Sequence, residues 1–147
     1  MERFERFTVL ITNITRSIRR IKNEEMVRWN LRSHHVSCVY YLYKKGALTS
    51  KKLCDICNED KANISRSIDY LEAEGFITQK NNKQKRYNSQ YILTEKGMTV
   101  GRIISERIDE VINYASGDLC DKDRATMYAC LEAINEKLSV FSDEYKK

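Results

Sequence analysis

The stretch DKANISRSIDYLEAEG, residues 60–75, decides the reading of this chain. Asp60 is a good N-cap, because its carboxylate can accept one of the amide N–H groups that a first helical turn leaves unpaired. Gly75 suits the left-handed residue that commonly closes a helix. Between them Ile64, Ile68 and Leu71 fall on one face of a helical period. Lys61, Ala62, Asn63, Ser65, Arg66 and Ser67 then lie at the N-terminal part or on the outer face. Those are residue types a duplex-reading helix needs. Arginine donates two hydrogen bonds to guanine, asparagine pairs with adenine, and alanine touches a thymine methyl.

Upstream of this helix, Thr49 or Ser50 caps a short helix that runs to about Cys57, with Leu53 and Cys57 inward and Asn58 suited to a left-handed end. Another helix is predicted from about Ser33 to Lys45, with Val36, Val39, Leu42 and Tyr43 inward and Gly46 ending it. Downstream of Gly75 the periodicity changes. Residues 76–80 and about 87–93 read as two strands, and the polar turn between them carries Lys83, Lys85 and Arg86. Short helices joined by a tight turn and followed by a basic hairpin make a winged helix-turn-helix. The predicted duplex contacts are Ser50, Lys61, Ala62, Asn63, Ser65, Arg66, Ser67, Lys83, Lys85 and Arg86.

Two outer regions complete the chain. Phe4, Phe7, Ile11, Ile14, Ile18 and Ile21 are spaced 3, 4, 3, 4, 3, an a/d seam that predicts a long amphipathic helix over residues 2–23. Leu93-Thr94-Glu95-Lys96-Gly97 opens a fifth helix carrying Val100, Ile104, Ile108, Val111 and Ile112, and Gly117 breaks it. A sixth helix is expected from about Asp121 to Phe141, with Leu131 and Leu138 on its apolar stripe. The fold class is therefore mainly α, with about six helices and a small β-hairpin wing. One domain is expected over residues 1–147, with the winged part at about 31–97 and helical regions at 1–30 and 98–147.

In order and spacing these elements resemble the MarR family of bacterial regulators. DKANISRSIDYLEAEGFI is similar to the family pattern D-K-S-T-V-T-R-x-V-D-x-L-E-x-x-G-L-V, and Leu93 to Gly97 is similar to L-T-x-x-G. The resemblance implies a homodimer built through the N- and C-terminal helices, with Phe4, Phe7, Ile11, Ile14, Leu131 and Leu138 at its seam. It also implies a repressor that binds a pseudo-palindromic operator and responds to a small molecule or to oxidation. Trp29, His35 and Tyr41 lie near the position of the family's ligand pocket. Two positions depart from the pattern. Lys85 and Tyr87 stand where the family wing carries Asp-x-Arg, and Glu59 occupies a position that is usually apolar.

Charge distribution agrees with a polyanion-binding centre. Residues 30–97 hold 12 Lys/Arg against 7 Asp/Glu, whereas residues 98–147 hold 7 against 10. No apolar run approaches the roughly 18 residues of a membrane span. The N-terminus lacks the pattern of a secretory signal, so a cytoplasmic chain with reduced thiols is expected. Cys54 and Cys57 form a lone C-x-x-C without the further ligands a zinc site needs, and all five cysteines read as packing residues. His34 and His35 point about 100° apart on a helix and make a poor metal pair, leaving them as surface or dimer-junction residues. No phosphate-cradling glycine motif, nucleophile triad or metal quartet is present, so no catalysis and no cofactor are expected. A winged-helix module that binds protein instead of DNA is the alternative, and it calls for apolar residues on the outer face of the 60–75 helix.

Overall fold

The computed structural model describes residues 2–81 and 88–146. Among the described residues six α-helices run in the order α1 (Arg3–Met26), α2 (Ser33–Lys45), α3 (Ser50–Cys57), α4 (Lys61–Ala73), α5 (Glu95–Ser116) and α6 (Asp121–Asp143). Three short strands, β1 (Leu48–Thr49), β2 (Ile77–Gln79) and β3 (Gln90–Leu93), form an antiparallel sheet in the order β1-β3-β2. β1 adds an edge that the hairpin reading did not include. Its Leu48 pairs with Tyr91 and its Thr49 with Gln90, while Ile77 pairs with Leu93 on the other side of β3.

Two compact units divide the chain, Met1–Ser105 and Glu106–Lys147. In the first, the core is drawn from α2 (Val36, Val39, Leu42), α3 (Leu53), α4 (Ile64, Ile68, Leu71) and α5 (Val100, Ile104), with Phe76 and Tyr91 between them. These helices are amphipathic, so burying one stripe of each satisfies all of them at once. In the second unit, Leu131, Ile134, Leu138 and Phe141 of α6 are exposed. In the first unit Phe4, Ile11 and Ile14 of α1 are exposed as well, and Phe7 is partly so. No helix among the described residues is long and apolar enough to cross a membrane.

The caps explain where the winged part turns. Thr49, rather than Ser50, caps α3 by accepting the Lys52 amide at 3.2 Å. Asp60 caps α4 by accepting the Asn63 amide at 2.7 Å. Asn58, with φ 52°, closes α3, and Gly75, with φ 77°, closes the end of α4, where Phe76 N donates to Leu71 O at 2.9 Å. Asp60→Ala removes one charge-assisted cap and is expected to cost about 1 kcal/mol in thermal or urea unfolding.

The Leu93–Gly97 segment docks the sheet onto the end of α4. The Thr94 hydroxyl accepts the Gly97 amide at 3.1 Å and donates to Gly75 O at 2.6 Å. Lys96 Nζ donates to Glu74 O at 2.8 Å and sits 4.1 Å from the Phe76 ring centroid. Gly97 lies directly on the Phe76 carbonyl, and Gly101 lies against Tyr43. The glycine pair therefore serves close packing within this unit.

Candidate nucleic-acid interface

On α4, Lys61, Ala62, Ser65 and Arg66 are exposed and Asn63 is half-buried, while Ile64, Ile68 and Leu71 face the core. Ser67 does not lie on the outer face. It is fully buried, and its hydroxyl donates to Asn63 O at 2.9 Å. A serine at that register completes the inward stripe 64, 67, 68, 71, and bonding back to the preceding turn satisfies its hydroxyl. Ser50, the first residue of α3, is half-buried, and the neighbouring Lys51 and Lys52 are exposed. Those two lysines add cations that the motif reading passed over, because their signal is charge on a short helix start rather than a pattern. Lys83, Lys85 and Arg86 lie outside the described residues.

Asn63 is more engaged than its residue type suggests. Its Nδ2 donates to Glu59 Oε2 at 3.2 Å and to Asp60 Oδ2 at 3.3 Å. Its Oδ1 accepts a hydrogen bond from the Arg66 guanidinium. Carboxylate, amide and guanidinium thus form one chain along the start of α4. Glu59, at a position where an apolar residue is expected, has a physical role here as the acceptor that orients Asn63. Arg66 keeps most of its five donors for another partner, whereas Asn63 must release an existing bond before it can read a base.

No protein-family model and no curated protein matches the chain. Solved structures do. A MarR family regulator from Neisseria meningitidis superposes with TM-score 0.80 at 20% identity, over 98% of this chain and 99% of that one. A putative MarR family transcriptional regulator from Listeria monocytogenes, solved with a 26mer DNA, gives 0.81 at 25% identity over 94% and 90%. The S. aureus MepR–DNA complex gives 0.79 at 16% identity over 90% and 96%. The chain has the MarR-family fold. α3 and α4 are the two helices, and β2 and β3 the two strands, of the winged helix-turn-helix expected from the sequence.

The residues set against the MarR ligand pocket fare differently from one another. His35 is buried, its ring stacks on Tyr70 at 4.3 Å, and its Nδ1 accepts the Arg32 amide at 3.1 Å. It is not the surface residue that the sequence suggested. Tyr70 is anchored in turn by donating to Asn30 O at 2.6 Å. Burial, with His34 and Arg32 nearby, lowers the His35 pKa to about 4. Its folded value lies below the ordinary 6.5, so the unfolded chain takes up the proton first. Stability is therefore expected to fall as pH drops from 6.5 toward about 4. His35→Gln should flatten that part of a stability-versus-pH curve. Trp29 is half-buried, and its buried Nε1 has no hydrogen-bond partner. Tyr41 is half-buried, and its hydroxyl pKa is raised by burial and by the neighbouring Cys57 and Tyr40.

The cysteines correct the packing expectation. Cys38 is fully buried, as a packing residue should be, but Cys54 and Cys57 are only half-buried and Cys120 and Cys130 are exposed. Cys120 caps α6, accepting the Asp123 amide on sulfur at 3.4 Å. Cys57 of α3 lies near Cys38 of α2 as well as near Cys54, and the Cys57 thiol is pulled below the ordinary value while that of Cys38 is pushed up. Among the described residues no group of three or more His, Cys, Asp or Glu is arranged to hold a metal ion.

Proposed function

We propose that this chain is a sequence-specific duplex-DNA-binding transcriptional regulator, acting in the cytoplasm as a homodimeric repressor on a pseudo-palindromic operator. The observation that carries the reading is the polar outer face of α4, where Lys61, Ala62, Ser65 and Arg66 are presented by a helix anchored through Ile64, Ile68 and Leu71. A protein-docking version would carry apolar residues there. The reading is supported by structural neighbours solved with DNA. Exposed Lys51, Lys52 and Lys61, with Lys83, Lys85 and Arg86 of the wing, supply phosphate contacts. The reading contains no catalytic step. A small-molecule effector would act near Trp29 and Tyr41, where an indole N–H lacks a partner.

The test is titration of a random-sequence duplex at several salt concentrations. Affinity should fall steeply as salt rises, because each neutralised phosphate releases a counterion. Salt-independent or undetectable binding would favour the protein-interaction module.

Homodimerisation is supported by the exposed apolar residues of α1 and α6, which include Phe4 at 77% and Leu138 at 56%. A second copy covering these faces removes them from water and leaves a closed two-fold assembly. Leu138→Arg buries a charge in that seam and should shift the chain toward monomer or aggregate in sedimentation. An unchanged dimer would place the interface elsewhere.

A further inference from the structure

We propose, on the DNA-binding reading above, that Glu59 is a positioning residue that sets base choice: it commits Asn63 to the protein and leaves Arg66 to read a guanine in each half-site. Glu59 sits half-buried in the turn between α3 and α4, directly before the cap Asp60. Its amide donates to Cys54 O at 3.2 Å, which fixes the turn beside the left-handed Asn58. Its Oε2 accepts Asn63 Nδ2 at 3.2 Å, and Asp60 Oδ2 accepts the same nitrogen at 3.3 Å. Asn63 Oδ1 in turn accepts from Arg66 Nη2.

Asparagine reads adenine with an amide N–H and the carbonyl oxygen together, donating to N7 and accepting from the N6 amino group. In Asn63 both ends of that edge are occupied. Nδ2 carries two protons and faces two carboxylate oxygens, so its bonds are of the stronger, charge-assisted kind. Its main chain is fixed as well, the amide donating to Asp60 Oδ1 at 2.7 Å and the carbonyl accepting the Ser67 hydroxyl at 2.9 Å. To read adenine, Asn63 would exchange bonds to charged groups for bonds to a neutral base. The exchange is unfavourable.

Arg66 is placed the other way. It is exposed, and one of its five donors goes to Asn63. Guanine needs only two, for O6 and N7. A carboxylate drawing on the Asn63 N–H polarises Oδ1 and makes it a better acceptor for the guanidinium. Arg66 is thus held in place before DNA arrives, and less side-chain entropy is lost on contact. An apolar residue at position 59 would remove one acceptor from Asn63 and loosen both side chains. Base choice is then set from the turn and not by α4 alone.

The test selects bound sequences from a random duplex pool, in parallel, with the full parent chain, Glu59→Gln, Glu59→Leu and Asn63→Ala. Glutamine keeps an oxygen acceptor for Asn63 and leucine does not, while both remove the same negative charge. Both should therefore bind a random-sequence duplex more tightly than the parent and to the same degree, which also reports that both are folded. In the parent, one position in each half-site should prefer guanine about tenfold over other bases. Glu59→Gln should keep that preference, and Glu59→Leu should lower it about threefold or more, the cost of ordering a long side chain afresh. Asn63→Ala should lower the same guanine preference and remove no adenine preference. An adenine position lost in Asn63→Ala with guanine intact, or a Glu59→Leu pool identical to the parent's, would overturn the inference. A parent chain that enriches no sequence would overturn the sequence-specific reading itself, and the inference with it.

Discussion

Gly97→Ala is expected to destabilise the chain by about 3 kcal/mol, the upper part of the usual range for overpacking, and to lower Tm by roughly 10 °C. A β-carbon built on Gly97 overlaps the Phe76 carbonyl oxygen and also meets Phe76 C at 3.0 Å and Leu93 Cδ2 at 3.1 Å. The obstacle is backbone, so no side chain can swing aside. Nor can the Phe76 carbonyl easily retreat, since it accepts a hydrogen bond from the Thr94 amide at 3.0 Å. The clash would pry α5 from the end of α4 and loosen the base of the wing. With total stabilities of about 5–15 kcal/mol, such a loss is easily seen in a thermal melt. A Tm within about 2 °C of the parent would mean that α5 does not rest on Phe76 as described.

The second large effect is expected from Arg66→Ala, about 1–3 kcal/mol on the preferred operator with relaxed choice at one position in each half-site. Arg66 is exposed on α4, and Asn63, itself held by Glu59 and Asp60, accepts one of its donors. That contact pre-orients the guanidinium, which lowers the entropy lost when it meets a base. Lys85→Ala should behave differently. It should weaken all sequences alike and reduce the salt slope by about one, as loss of a phosphate contact does. Equal weakening of all sequences by both substitutions would mean that α4 does not read bases.

Local signals carried the helices of the winged part. Asp60, Asn58 and Gly75 mark helix ends through their own side-chain or backbone chemistry, and the structure places them at those ends. β1 was not legible, because two residues cannot show an alternation and its pairing with β3 joins segments some 40 residues apart. Ser67 was legible by period and hidden by type. Its spacing from Ile64, Ile68 and Leu71 is that of a buried stripe, but a hydroxyl suggests water. The proximity of Cys38 and Cys57 was hidden by the nearer C-x-x-C, since only the packing of α2 on α3 brings the two together. Glu59 shows the same limit in reverse. It looks anomalous against a family pattern until Asn63 is seen to donate to it.

The most direct test of the central claim is selection of bound sequences from a random duplex pool by the full chain. Enrichment of a two-fold symmetric site, with half-sites about 10 base pairs apart, is the predicted result. Arg66→Ala should then lose preference at one matched position in each half. Recovery of a pool with no shared sequence, at salt low enough for binding, would contradict sequence-specific recognition by α4.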